Sequence, residues 1–308
     1  MVFANLKAGF QRMWANKRIV LIFYLASLFF GFAFMLPLRG MLKSFVGNSL
    51  ISGQLAGPLN IDVLSEFIVN NRGFTSMTAG MFPFLFALYG LTGLFLSGGA
   101  FAVFDLETTD SAKRFWGNSA YFFGRFFRLF LYTIPLFLLF LFIPTGLSAL
   151  QKLIFGADPP EYIAYWGKWA RIGLRYFGLV IGFLILDYAR IITVFRDEKK
   201  MRSAIAGGIR FVFGNFRRTF TLIFAFWLIG LIALLVYNPV SDLLAAANTG
   251  FVIAMILAQQ LFMFFRMTLK LALWGGEVSL FKGLAASPEP EESDGDVWAE
   301  EREAKGEK

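Results

Sequence analysis

Six long apolar segments constrain this chain more than any other feature of its sequence. A helix needs about 20 apolar residues, at a rise of ~1.5 Å each, to cross the ~30 Å hydrocarbon core of a bilayer. Six segments are long and apolar enough: residues 19–36, 81–104, 129–147, 172–195, 219–240 and 251–274. We therefore predict an all-α, polytopic membrane protein, with six transmembrane helices in a domain that covers residues 1–284.

The loops between these segments alternate between many and few positive charges. Cytoplasmic loops retain Lys and Arg, so the richer side is predicted to be the cytoplasmic one. Fifteen cations lie on that side: Lys7, Arg12, Lys17, Arg18, Lys113, Arg114, Arg125, Arg128, Arg196, Lys199, Lys200, Arg202, Arg210, Arg217 and Arg218. Six lie on the other: Arg39, Lys43, Arg72, Lys152, Lys168 and Arg171. Both termini are therefore predicted to be cytoplasmic.

The end of the chain differs in charge from the rest. Residues 285–308 hold nine of the 21 acidic residues and only three of the 29 basic ones. A segment this rich in Pro and Glu buries too little apolar area to offset the entropy of ordering it, which predicts a disordered acidic cytoplasmic tail. The basic remainder lies beside membrane spans, which favours anionic lipid headgroups, and not nucleic acid, as its partner.

The composition removes several classes of chemistry. The chain has no Cys and no His, so disulfides, Cys–His and Ser–His nucleophilic sites, zinc protease sites and His-ligated haem are excluded. No Gly-rich phosphate loop follows a plausible strand. Composition leaves a Ser–Lys or all-carboxylate site open, but the sequence contains no complete catalytic motif. We therefore predict no catalytic residues, no metal site and no cofactor.

An internal repeat is the second informative feature. Residues 111–130 align without gaps onto residues 201–220, with six identical pairs: Gly117 with Gly207, Phe123 with Phe213, Gly124 with Gly214, Phe126 with Phe216, Arg128 with Arg218, and Phe130 with Phe220. A fainter echo at the start of the chain pairs Gly9 with Gly208, Asn16 with Asn215, and Arg18 with Arg217. We predict three parallel repeats, each an amphipathic cytoplasmic helix followed by a helical hairpin that crosses the membrane twice.

The repeated segments place bulky aromatic residues beside Lys and Arg at helical spacing. Such helices lie in the membrane interface, with aromatic rings at the headgroup boundary and cations on anionic lipid. The candidate lipid contacts are Lys113, Arg114, Trp116, Arg125, Arg128, Arg210, Arg217 and Arg218. Simple anchoring and a lipid-binding collar are both consistent with this pattern.

Glycines inside two spans predict close approach between helices. Gly98 and Gly99 are adjacent in the second span, and Gly178 and Gly182 are one turn apart in the fourth. Without a Cβ atom, each of them allows a neighbouring helix to approach closely.

Ionisable residues at depth are the strongest candidates for a functional site, because a charge there costs ~2.5–3.5 kcal/mol unless it is paired or hydrated. The fourth span places Asp187 and Arg190 on one face. The sixth places a stripe of residues on one face: Gln259, Met263, Arg266 and Lys270. Counted from the outer ends of their spans, Asp187 and Arg266 both lie ~22 Å deep. We predict a charged cluster of Asp187, Arg190, Arg266, Lys270 and Gln259, suited to an anionic headgroup or a coupling proton. Local pairing of Asp187 with Arg190, and snorkelling of Arg266 and Lys270 to the interface, is the alternative.

Three features of the sequence carry a resemblance to known families. They are the basic amphipathic helices, the DYAR segment at 187–190 followed by Arg196, and the FVFGNFRR segment at 211–218. With these features the chain resembles uncharacterised bacterial six-span families, including the membrane domain found beside some glycerophosphodiester phosphodiesterases. The resemblance implies a protein of the bacterial inner membrane. The His and acidic metal ligands of those phosphodiesterases have no counterpart in this sequence, so their activity is not carried over.

Two functions are consistent with these observations. The first is a non-catalytic membrane component that binds lipid or a protein partner, in envelope maintenance or as a subunit of a complex. The second is a transporter or permease for a small molecule or lipid, which would use the intramembrane charged cluster. A hydrated path containing Asp187 and Arg266 would favour transport, whereas a dry interior packed with Phe would favour the first.

Overall fold

A computed structural model describes residues 2–47, 61–70, 72–106, 112–156, 159–243 and 249–285. In these residues the chain forms ten α helices and no strand: α1 (Val2–Ala15), α2 (Lys17–Val46), α3 (Ile61–Asn70), α4 (Arg72–Ala79), α5 (Met81–Leu106), α6 (Ala112–Phe155), α7 (Glu161–Phe195), α8 (Met201–Gly214), α9 (Phe216–Leu243) and α10 (Thr249–Ala285). The predicted tail lies outside the described residues, except for Ala285 at the end of α10.

Six of the helical segments are long and apolar enough to cross a membrane, as predicted. They are Lys17–Val46, Ser76–Asp105, Lys113–Phe155, Glu161–Phe195, Phe216–Val240 and Gly250–Ala285. The all-α, six-span fold is therefore confirmed. These helices extend beyond the apolar segments, most notably α10, which continues eleven residues past the predicted end at 274. This extension belongs to the core, since Val278, Leu280 and Phe281 are buried.

The buried core lies at one end of the bundle. We call this the basic end; it is formed by α1, α8 and residues 112–128 of α6, and we call the opposite end the far end. Buried side chains concentrate where α5, α7 and α10 approach the basic end, in residues 94–104, 178–193 and 269–281. Each of these three helices contacts the other two. Phe101 of α5 and Trp274 of α10, for example, have ring centroids 4.9 Å apart.

At the basic end, three helical segments pack closely on the three central helices. α1 packs on α10, the start of α6 on α5, and α8 on α7. A Cβ atom on Gly9 would lie 2.9 Å from the Gly276 nitrogen, and one on Gly208 would lie 2.9 Å from the Ile185 carbonyl oxygen. One on Gly99 would lie 2.6 Å from the Phe115 carbonyl oxygen. Each contact therefore depends on a glycine, because a larger residue would overlap the neighbouring backbone.

The close approaches expected at the other glycines of the spans are also present. A Cβ atom on Gly98 would lie 3.1 Å from the Cβ of Phe122 on α6. On α7, Gly178 and Gly182 face Phe140 and Phe137 of α6, and added Cβ atoms would lie 2.8 Å and 2.9 Å from their rings. These glycines are packing positions, as predicted.

Two of the glycines occupy corresponding places in the predicted repeat. Gly9 and Gly208 each precede a break in the helix by seven residues, at Asn16 and Asn215. Both Asn residues adopt nearly the same backbone conformation, with φ and ψ of −116° and 39° at Asn16 and −122° and 33° at Asn215. Both side-chain amides donate to the carbonyl four residues earlier, at 3.0 Å and 3.3 Å. In the middle unit of the predicted repeat, the alignment pairs Arg125 with Asn215. Here α6 continues through the position without a break. The complete three-unit repeat stays a prediction.

Candidate functional site

An ion pair on α7 is the centre of the candidate site. Arg190 Nη1 donates to Asp187 Oδ1 at 2.9 Å, and the two side chains are only 11% and 13% exposed. The Arg190 Cζ also lies 5.8 Å from the ring centroid of Phe126 on α6. The one-turn spacing of the two residues places them on one face of α7, as the sequence predicts.

Across from this pair, α10 presents Lys270 and Trp274. Trp274 and Lys270 both lie close enough to act on the Asp187 carboxylate, and the charge of Lys270 also acts on Arg190. The Lys270 Nζ is 5.0 Å from the Trp274 ring centroid and 5.8 Å from that of Phe23 on α2. Trp274 is buried, whereas Lys270 is exposed. The accessible cation therefore lies directly beside the buried ion pair.

The contacts of α10 show which of its faces points into the bundle. One face contacts α9 through Phe262 and Leu269. Another contacts α2 through Gln260 and Phe264. A stripe of residues at helical spacing lies between the α9-facing side and the α2-facing side of α10. Because this stripe ends in the buried Glu277, it points into the bundle. It consists of Gln259, Met263, Arg266, Lys270 and Glu277.

The structure brings together three of the five predicted cluster residues: Asp187, Arg190 and Lys270. Gln259 and Arg266 lie on the same inward stripe but nearer the far end, and both are exposed. Within the described part of the chain no ion pair joins Arg266 to Asp187. Lys270 and Trp274 take the place beside Asp187 that equal depth predicts for Arg266, because α10 continues through the core beyond the end of its apolar segment.

Sequence reasoning missed Glu277, Tyr188 and Trp274. Glu277 follows the apolar segment that ends at 274, and the predicted cluster does not include it. One signal was available: Glu277 lies seven residues, or two helical turns, after Lys270 and so extends the same stripe. The adjacent Gly275 and Gly276 also mark a close helix contact, which the structure places against α1.

Glu277 is the most unusual residue near the Asp187–Arg190 pair. It is 1% exposed, and neither carboxylate oxygen has a hydrogen-bond partner among the described residues. The same is true of the buried Tyr188 hydroxyl and of Arg190 Nε. The charge of Glu277 acts on both Asp187 and Arg190. A buried acid without donors is costly to keep ionised.

A second ion pair joins α6 to the loop between α7 and α8. Arg125 Nη1 donates to Asp197 Oδ1 at 2.5 Å, and the Tyr121 hydroxyl donates to the same oxygen at 3.1 Å. Asp197 has a φ of 45°, a left-handed conformation that Asp and Asn adopt more readily than most residues. The hydrogen bond from Arg125 holds the pKa of the Asp197 carboxyl below its usual value.

This pair predicts a small loss of stability in acid. The pKa of the Asp197 carboxyl is lower in the folded state than in the unfolded state. Its contribution to folding stability is therefore fully present above the pKa of the unfolded state, and it is lost as the pH falls through the pKa of the folded state. Asp197→Asn keeps a residue that tolerates positive φ but removes the charge. We expect the melting temperature of wild type to exceed that of Asp197→Asn at pH 7, and the gap to narrow at pH 3. An equal difference in melting temperature at pH 7 and pH 3 would show that the charge of Asp197 does not stabilise the fold.

The other predicted lipid contacts lie on the surface of the basic end. Arg125 is engaged with Asp197, and the remaining seven are exposed: Lys113, Arg114, Trp116, Arg128, Arg210, Arg217 and Arg218. These positions leave them accessible to headgroups, and their contact with lipid stays a prediction.

Within the described ranges, no three acidic side chains come close enough to hold a metal ion. Comparisons of the chain with protein-family models, curated proteins and solved structures give no match. The geometry therefore establishes a six-span membrane protein with a buried ion pair on α7 and an exposed lysine of α10 beside it.

Proposed function

We propose that this protein is a non-catalytic component of the bacterial inner membrane, with both termini cytoplasmic, that binds the anionic headgroup of a lipid inside its helical bundle. The observation that carries the proposal is the position of Lys270, which is exposed beside a buried Asp187–Arg190 pair. Asp187 already has a partner in Arg190, so the positive charge of Lys270 remains available to an anion.

The surroundings of Lys270 suit an amphiphile. We call the interior groove the surface formed by Phe183 and Asp187 of α7 and by Met263, Arg266 and Lys270 of α10. Phe183 is exposed and lies one turn from Asp187 on the same face. Arg266 supplies a second exposed cation one turn from Lys270. Two cations beside apolar side chains complement a phosphoryl headgroup with its acyl chains.

The test compares lipids that remain bound in nanodiscs formed directly from native membranes. Native mass spectrometry would be applied to wild type and to the double variant Arg266→Ala/Lys270→Ala. The matched control, Arg39→Ala/Lys43→Ala, removes one Arg and one Lys from exposed positions on α2. We expect a stoichiometric anionic lipid on wild type and control that is lost from the groove variant. Only bulk lipid on all three proteins, or equal loss in the control, would contradict the proposal.

The same purification tests the protein-partner form of this function. A partner bound at the groove would be retained by wild type and the α2 control and released by the groove variant, with no lipid released. Recovery of a stoichiometric protein in place of a lipid would identify the groove as a protein-binding surface.

Transport of a lipid or small molecule is the second candidate function. It is favoured by one observation: the exposed stripe on α10 leads from the far end to buried charges, beyond which the core is packed. A path open at one end and closed at the other is one half of an alternating-access cycle. Movement of a labelled anionic lipid between the leaflets of proteoliposomes, present with wild type and lost with Arg266→Ala/Lys270→Ala, would establish transport; binding without movement would rule it out.

A further inference from the structure

Glu277 lies in a sealed part of the bundle. On its N-terminal side, Gly275 and Gly276 are covered by α1, with the Gly9 carbonyl oxygen 3.1 Å from where a Cβ on Gly275 would lie. Leu222 and Phe226 of α9 contact Gly276. On α7, Tyr188 is fully buried and its ring centroid lies 4.7 Å from that of Phe211 on α8. Solvent therefore does not stabilise an ionised carboxylate at this position.

The charged groups around Glu277 are few. From α7 they are Asp187 and Arg190, which pair with each other, together with the neutral phenol of Tyr188. From α10 they are Lys270, beside the interior groove, and Lys282, whose Nζ lies 3.4 Å from Asp105 Oδ1 of α5. α1 contributes Arg12, whose Nη1 donates to the Gly275 carbonyl at 3.4 Å. The groups from α9 and α8, Leu222, Phe226 and Phe211, do not titrate.

The protonation of Glu277 therefore decides the net charge behind the groove. With Glu277 ionised, the charges of Asp187, Arg190, Lys270 and Glu277 sum to zero. With a proton on Glu277, the same four residues carry one positive charge. An anion in the interior groove is attracted more strongly to the second state, and this attraction is large where little water screens it.

We propose that Glu277 is a proton-binding site coupled to the interior groove, so that binding of an anionic phosphoryl group at Lys270 and Arg266 is accompanied by proton uptake at Glu277. This inference rests on the proposed function. Coupling is reciprocal: if the proton strengthens anion binding, the anion strengthens proton binding by the same factor. We expect a factor of about tenfold, within the usual range for coupled sites.

A proton fits this site better than a metal cation does. A sodium or divalent ion requires several oxygen ligands arranged around it. In the part of the chain that the structure describes, no group of three acids comes together. A single carboxyl oxygen takes up a proton without any other ligand.

Isothermal titration calorimetry tests the coupling in detergent micelles. The probes are dioctanoyl phosphatidylglycerol and inorganic phosphate, which distinguish a lipid headgroup from a free anion; dioctanoyl phosphatidylcholine is the zwitterionic control. Titrations in two buffers of different ionisation enthalpy, at several pH values from 5 to 9, give the number of protons taken up on binding. Glu277→Gln keeps the shape of the side chain but fixes it neutral, and Tyr188→Phe removes the neighbouring hydroxyl while keeping the carboxyl.

For wild type and Tyr188→Phe we expect affinity for the anionic probe to fall by about tenfold as the pH rises. Proton uptake should peak at about half a proton in the middle of this fall and approach zero at the pH values on either side of it. Glu277→Gln should bind as tightly as wild type does at low pH, with less pH dependence and no uptake. If the probe binds with equal proton uptake in wild type and Glu277→Gln, the coupling to Glu277 is wrong, while the proposed binding function stands. Failure of both probes to bind wild type would overturn the proposed function.

A second measurement needs no variant. Infrared spectra of wild type labelled with 13C-glutamate would show the C=O stretching band of a protonated glutamic acid, shifted by the label and lost as the pH rises. Adding the anionic probe at a pH where the band has partly disappeared should strengthen it. A band unchanged by the probe, or displaced by sodium at constant pH, would contradict the proposal.

Discussion

Replacing Arg190 by Met is expected to lower the free energy of unfolding by about 3–5 kcal/mol, the usual cost of removing one partner from a buried ion pair. Met retains much of the volume of the Arg stem, so the loss arises from the charge left on Asp187. That carboxylate would keep Trp274 near it but lose its ion pair, while Glu277 remains close enough for its charge to act on Asp187. Equilibrium unfolding in mixed micelles measures the change.

A double variant separates lost charge from lost packing. Asp187→Leu combined with Arg190→Met replaces the whole pair by apolar groups, and such replacements are often neutral or stabilising. We expect the double variant to recover most of the stability lost in Arg190→Met. Arg210→Met, at an exposed position on α8, is the matched control and should change stability by no more than about 0.5 kcal/mol. A double variant as unstable as the single one would show that Arg190 acts through packing.

Gly9→Ala is the second substitution for which we expect a large effect. The new Cβ atom would overlap the carbonyl oxygen of Ala272 and lie 2.9 Å from the backbone nitrogen of Gly276. The atoms it meets belong to the α10 backbone and move only if the two helices separate. Overpacking of this kind costs about 1–3 kcal/mol. We expect a lower melting temperature and faster proteolysis of α1.

Gly31→Ala provides the control for this substitution. Gly31 lies within α2, and no atom would lie within 4 Å of a Cβ added there. Ala is the better helix former by roughly 1 kcal/mol, so this variant should be as stable as wild type or slightly more stable. Equal losses in Gly9→Ala and Gly31→Ala would mean that the α1–α10 contact is not the cause.

The six spans were predictable because crossing a bilayer imposes a length and a polarity that can be counted along the chain. The Asp187–Arg190 pair was predictable for a similar reason, since a spacing of three residues on a helix fixes which side chains are neighbours. The glycine contacts of α5 and α7 followed from the absence of side chains at Gly98, Gly99, Gly178 and Gly182. In each case the information lies within one helix.

The partners of α1 and of Glu277 depend on contacts between distant parts of the chain. An apolar face with glycine beside it indicates that something covers it, but lipid and a neighbouring helix both satisfy that requirement. Hydropathy ends the sixth span at residue 274, although α10 continues through the core to Ala285. Glu277 is buried because α1 covers this continuation, and only the tertiary arrangement reveals that.

The packing of α1 on α10 also sets the order in which the protein is completed during synthesis. Arg12 and Gly275, which meet in this contact, are 263 positions apart in sequence. At a translation rate of about 5–20 residues per second, α1 waits roughly 13–53 s for its partner. During that time the face of α1 that meets α10 has no partner from that helix. The ribosome must therefore add Gly275 and Glu277 before α1 can seal the charged centre of the bundle.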